Sequence, residues 1–150
     1  MLGVEAPRLF LVRLAGDFYT KARATRLRFL RRLERNLSDA LTREGIAFTL
    51  RERWSRLEIE ITDPSDVAMA RASEVMSRVF GVQSLSEVQE IPWTDIASVE
   101  REVVARSRER VRGKTFAVRA RRLGDRTKGP LASLSSHEIE KSLGAALASE

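Results

Sequence analysis

The spacing of apolar residues from Arg8 to about Glu90 predicts an α+β fold in which two helices cover one face of a sheet. Three patterns carry this. Arg8 to Leu14 is a nearly unbroken apolar run of β-compatible residues, as a strand inside a sheet would show. Apolar residues recur at helical spacing from about Arg23 to Glu44 and again after Asp66. Between those helices, the stretches Ile46 to Leu50 and Leu57 to Ile61 alternate as half-buried strands do.

Taken in order, the first helix buries Leu30, Leu33, Leu37, Ala40 and Leu41, turns Arg28, Arg31, Arg32 and Arg35 to its other side, and stops at Gly45. The two short strands pair as a hairpin joined across Glu52 to Ser55. Asp63 as cap, Pro64 in the first turn and Asp66 near the positive dipole end start a second helix, expected to reach Phe80. Its stripe is Ala68, Ala72, Val75, Met76 and Val79, and Gly81 closes it. Val82 to about Glu90 supplies the last strand, where a slip of alternation between Leu85 and Val88 predicts a bulge. The order βαββαβ is that of a ferredoxin-like sandwich.

Ile91-Pro92-Trp93 breaks the pattern, and a second unit follows. Thr94 is placed to cap a helix running to about Arg112, with Ile96, Val99, Val103 and Val111 on one side. Gly113-Lys-Thr-Phe-Ala-Val-Arg-Ala-Arg-Arg122 then reads as a strand with Phe116, Val118 and Ala120 on one face and Thr115, Ala117, Arg119 and Arg121 on the other. A polar loop through Gly124, Gly129 and Pro130 leads to a last helix from about Ser135 to Ala148. That single strand needs a neighbour for its backbone donors and acceptors, and residues 123 to 150 offer no second run of β character. The expectation is a fragment whose remaining strands lie elsewhere.

Composition narrows function. With 43% hydrophobic and 32% charged residues the chain can bury a core. No apolar run is long enough to cross a bilayer and no signal-peptide pattern opens the chain, so a cytoplasmic location is expected. The absence of cysteine removes disulfides, thiolate metal sites and any cysteine nucleophile. The net charge of +6 is distributed in blocks: nine Lys or Arg against Asp17 and Glu34 in residues 8–35, six against twelve acidic residues in 36–100, and eleven against three in 101–130. Two basic blocks flanking an acidic one suit a polyanionic partner, nucleic acid or an anionic membrane surface.

Catalytic sets are missing. His137 stands alone beside Glu138 and Glu140 and reads as a solvated residue. No Walker loop, dinucleotide fingerprint or Gly-rich nucleotide loop occurs. No catalytic residue, metal site or cofactor site is therefore assigned within these residues. An RNA-recognition motif would stack bases on at least two aromatics, whereas the basic strand has Phe116 alone, on its apolar face. Its arginines are better suited to phosphate contacts that follow the shape of a folded RNA.

The order of elements, the segment Gly16-Asp-Phe-Tyr-Thr-Lys21 with Arg23, Arg26, Phe29 and Asn36-Leu37, the Phe80-Gly81-Val82 turn, the Gly113 to Arg122 strand, Ser135-Ser136 and Glu140-Lys-Ser-Leu-Gly144 together resemble the N-terminal half of bacterial tRNA 4-thiouridine synthetase, the tRNA sulfurtransferase family. The resemblance spans about residues 8–148. It implies a ferredoxin-like domain over residues 1–91 and the N-terminal part of an α/β THUMP domain over 92–150, its closing strands missing. In that family the pair grips the acceptor region and 3′ end of tRNA, and the work serves tRNA modification and thiamine biosynthesis.

Carried over residue by residue, Lys21, Arg23 and Arg26 match the basic signature at the start of the first helix, and Lys114, Arg119, Arg121 and Arg122 match the THUMP strand. With Arg126 and Lys128 of the following loop they are the candidate RNA-binding residues. For Arg26 and Arg119 the alternative is an ion pair at the joint between domains. Ser136, Glu140 and Gly144 match a helix start and close-packing positions. Departures are Ala22 where the family has glycine, and Asp125-Arg-Thr-Lys128 where it has a histidine or similar residue. The family's closing THUMP strands, ATP-binding adenylating domain and cysteine-bearing sulfur-transfer part are absent from these residues. The implied partners are tRNA and a catalytic ATP-pyrophosphatase-type domain in cis or in trans, with a homodimer possible and no membrane; ATP is implied only for that catalytic domain. The alternatives are a THUMP-type module of another tRNA-modifying enzyme, or a basic module that binds a protein or a membrane surface.

Overall fold

The computed structural model describes residues 8–15, 22–53, 56–121 and 134–149, which divide into two units, Met1–Glu90 and Ile91–Glu150. In the first, β1 (Arg8–Leu14) lies inside a four-stranded sheet, between β3 (Arg56–Ile61) and β4 (Val82–Gln89), and β2 (Phe48–Arg53) pairs with β3 at one edge. All pairings are antiparallel. An interior position explains the unbroken apolar run of β1, where Leu9, Phe10, Val12 and Leu14 are all buried. The helices α1 (Arg23–Arg43) and α2 (Asp66–Ser77) lie on one face. Between them and the sheet pack Phe10, Val12 and Leu14, Leu57, Ile59 and Ile61, Leu30, Leu33, Leu37 and Leu41, and Met69, Ala72 and Met76. Mixed α+β with this sheet is the ferredoxin-like arrangement expected of the βαββαβ order.

Local details depart from expectation in four places. The hairpin is tighter, with Glu52 opposite Leu57 and Arg53 opposite Arg56, so β2 runs two residues into the segment read as loop. The cap of α2 is Ser65, whose hydroxyl oxygen accepts from Ala68 N–H at 3.3 Å, while the Asp63 carboxylate accepts from Ser65 N–H at 2.9 Å and shapes the approach. The helix ends at Ser77, three residues short of Phe80, and buries Met69 where Ala68 was expected to lead the stripe. The bulge sits at the start of β4: Arg13 faces Ser84 and Leu14 faces Val82, leaving Gln83 as the extra residue.

Arg8 ties three elements together. Its guanidinium donates to Glu87 of β4 at 2.8 Å, to the Pro64 carbonyl at 2.8 Å and to Asp66 of α2 at 2.6 Å. Between α2 and β4 the chain turns through Gly81 at φ +99°, where Val82 N–H donates to the Val79 carbonyl. An L-residue rarely adopts that φ, and a Cβ there would also stand 3.5 Å from Leu33 Cδ1.

In the second unit α3 (Ile96–Val111) is capped by Asp95, not Thr94, in a reciprocal box with Ser98. Arg112-Gly113 then forms a type II turn, Gly113 at φ +67° and Lys114 N–H donating to the Val111 carbonyl at 2.9 Å. Helix α4 (Ser136–Ala148) starts from Ser135, which forms a capping box with Glu138, and buries Ile139, Leu143 and Leu147. The close-packing reading of Gly144 is corrected: a Cβ there would meet nothing within 4 Å among the described residues.

The segment from Gly113 to Arg122, read from sequence as a strand lacking its neighbour, has no partner strand among the described residues. Residues 115–121 form no strand ladder among the described residues, although exposure alternates as read, with Phe116, Val118 and Ala120 half-buried and Thr115, Ala117, Arg119 and Arg121 exposed. Alternation follows from an extended backbone on an apolar support, whereas a ladder needs a second strand. The segment is instead fastened by a side chain, the Glu140 carboxylate accepting from Ala120 N–H at 2.8 Å. Ser142 of the same helix donates to Glu100 of α3.

Candidate nucleic-acid interface

The ferredoxin-like sheet has a face turned away from its helices, the face on which such folds can stack bases. Register places Leu9, Leu11 and Arg13 of β1 there, with Glu58 and Glu60 of β3, Thr49 and Arg51 of β2, and Ser84, Ser86 and Val88 of β4. Phe10 and Phe48, the aromatics of the described strands, lie on the helix side with the core. Charges on the open face neutralise one another through Arg51–Glu60 at 3.5 Å and Arg53–Glu58 at 3.9 Å. Among the described residues this face offers no aromatic stacking platform, and its exposed Arg13 stands beside charges that are otherwise paired.

The outer side of α1 is different. Arg28, Arg31, Arg32 and Arg35 are all exposed and stand three or four residues apart, on the side opposite Leu30, Leu33, Leu37 and Leu41. None forms an ion pair among the described residues. Several other basic side chains of this unit are engaged: Arg8 with Asp66 and Glu87, Arg53 also with Glu90, Arg71 with Glu44, and Arg78 with Glu74. The neighbouring Glu34 is held above its ordinary pKa, first by burial and then by Glu52, with Arg31 pulling the other way. A row of like charges at these spacings opposes helix formation by about 0.2–0.5 kcal/mol per pair. The row therefore lowers the stability of the free protein.

The residues nominated from sequence fall into two places. Lys21, Arg122, Arg126 and Lys128 lie outside the described residues. Arg23 is exposed and Arg26 half-buried in the opening turns of α1, whose cap residue Ala22 makes no side-chain cap bond and whose first turn has no acidic residue. Both arginines thus stand at the positive end of the helix dipole, where an anion is favoured and a cation is not. Lys114, Arg119 and Arg121 are exposed along the extended segment of the second unit, and Arg119 donates to the Val118 carbonyl at 3.1 Å. Neither Arg26 nor Arg119 has an ion pair among the described residues. The row Arg28, Arg31, Arg32 and Arg35 was visible in the sequence as a helix face but was not nominated, because pattern alone does not tell a paired arginine from a free one.

Among the described residues no three metal-ligating side chains cluster, no buried polar side-chain atom lacks a partner, and no helix is long and apolar enough to cross a membrane.

Fold and charge together define a ferredoxin-like domain with a basic helix face, followed by a second α-helical unit that carries a basic extended segment. Residues 9–86 match the family model described as the ThiI ferredoxin-like domain, and the chain belongs to that family. It is 28% identical over 138 residues to the tRNA sulfurtransferases of Salmonella typhimurium strain LT2 and Salmonella arizonae, a stretch that is 92% of this chain and 27% of each relative. The crystal structure of PH1313 from Pyrococcus horikoshii Ot3 superposes with a TM-score of 0.71 at 26% identity, over 95% of this chain and 45% of that one. The chain spans about a quarter of the length of the curated relatives it matches.

Proposed function

We propose that these residues form the tRNA-binding module of a tRNA 4-thiouridine synthetase, a cytoplasmic enzyme, holding the acceptor region of the RNA for an ATP-using catalytic domain outside this chain. The observation that carries the reading is the arginine row of α1, unpaired among the described residues, in a member of the ThiI ferredoxin-like family. The relatives' name, tRNA sulfurtransferase, supplies the substrate class. The second unit is read as the opening of a THUMP domain, with Lys114, Arg119 and Arg121 as further phosphate contacts beside Arg23 and Arg26. Guanidinium groups on a rigid helix suit backbone phosphates, which position an RNA without reading its sequence.

The test is the salt dependence of binding to unmodified tRNA. Log affinity should fall by about 0.7–0.9 per phosphate contact for each log unit of salt. A flat response between low and moderate salt removes the reading. Unaltered affinity when Arg23, Arg26, Arg119 and Arg121 are replaced together by glutamine removes those four from the contact set. Capture of the chain by anionic vesicles that excess tRNA does not reverse would favour a membrane-surface module instead.

A further inference from the structure

A groove of about 870 Å³ opens in the first unit between the end of β1, the middle of α1 and the α2–β4 turn, and its walls include Phe29, Arg32, Asn36, Arg78 and Phe80. Two aromatics line it from opposite elements. Phe80 is 88% exposed and Phe29 47% exposed, although each would lower its free energy by burial. Phe80 is held out by the turn itself, since Gly81 behind it takes φ +99° and Ala15 N–H bonds the Gly81 carbonyl at 3.2 Å. No acidic residue is among the described lining residues, and Arg32 belongs to both the groove and the row of α1.

We infer that this groove takes one unstacked nucleobase of the bound RNA, between Phe29 and Phe80, with Arg32 on an adjacent phosphate. The inference rests on the RNA-binding reading and deepens it. Charge decides the occupant. An apolar peptide or a second copy would gain nothing from Arg32 and the arginines beyond it, whereas a nucleotide presents a flat apolar ring and an anion together. Asn36 adds an amide able to donate and accept at a base edge. The groove thus complements the arginine row: the row holds paired backbone, and the groove holds the place where pairing ends.

The test compares two fluorescein-labelled RNA hairpins of one stem sequence, one blunt-ended and one with four unpaired 3′ nucleotides, binding the 150-residue chain in anisotropy titrations. Phe80→Leu keeps an apolar side chain at an exposed site and removes the stacking ring. It should weaken binding of the overhanging hairpin by about fivefold to a hundredfold and leave the blunt hairpin unchanged. Phe80→Tyr should bind both as the parent does. Loss on both hairpins, or on neither, overturns the groove assignment while the RNA-binding reading stands on the parent's affinity for the blunt stem. Failure of the parent to bind either hairpin overturns the RNA-binding reading itself. Self-association in sedimentation that Phe80→Leu abolishes would make the occupant a second copy.

Discussion

Replacing Arg28, Arg31, Arg32 and Arg35 together by glutamine should move RNA affinity and protein stability in opposite directions. If each arginine neutralises one phosphate, the slope of log affinity against log salt should become shallower by about 2.8–3.6, at about 0.7–0.9 per contact. The parent should then lose about 50- to 150-fold more affinity than the variant between 50 and 200 mM salt, since that interval is about 0.6 log units. The free protein should gain stability. The four like-charge pairs Arg28–Arg31, Arg28–Arg32, Arg31–Arg35 and Arg32–Arg35 disappear, and at about 0.2–0.5 kcal/mol each the relief is about 1–2 kcal/mol. Glutamine is nearly as good a helix former as arginine, so propensity does not confuse the comparison. Fluorescence anisotropy with tRNA over a salt series and urea unfolding of the free protein give both quantities. An unchanged salt slope would show that the row is a solvated face, and a loss of stability would show that these arginines have partners the structure does not show.

Three further outcomes are expected. Gly81→Ala should cost about 1–3 kcal/mol in denaturant unfolding, because φ +99° strains any L-residue, and equal stability would mean that the turn relaxes freely. Glu34→Gln should stabilise the protein at pH 7. Its carboxyl is raised above the unfolded value, so the cost of ionising it is absent below the unfolded pKa and appears as pH rises through the folded one; the gain should vanish near pH 4, and a gain of equal size at both pH values would contradict this. Glu140→Ala should speed hydrogen exchange at the Ala120 amide relative to α3, and unaltered exchange there would mean that another acceptor holds the segment.

Much of the first unit was legible because periodicity reports burial. Leu30, Leu33, Leu37 and Leu41 announce the covered side of α1, and the unbroken run of β1 announces a strand with neighbours on both sides. Cap identity was less legible. Asp63 and Ser65, or Thr94 and Asp95, carry similar local signals, and the choice depends on which oxygen reaches the amide three residues on. The alternation of residues 115–121 was legible, and so was the want of a neighbouring run of β character, because both are local properties of the sequence. The same division governs the site. Arg51 and Arg71 look in sequence like Arg32 and Arg35, and only the placement of Glu60 and Glu44 separates charges already satisfied from charges available.

Helix α1 writes two messages on one stretch, leucines every three or four residues for the sheet and arginines in the gaps for the outside. The two messages are locked in phase. Each residue advances the helix by about 100°, so one residue added between Leu33 and Asn36 would swing every arginine before it toward a flank while the leucines after it stayed seated. Substitutions along the row should drift readily, since each changes only one message. Insertions and deletions should be rejected throughout residues 28–41, which makes the length of this segment a stricter signature of the module than the identity of any one of its arginines.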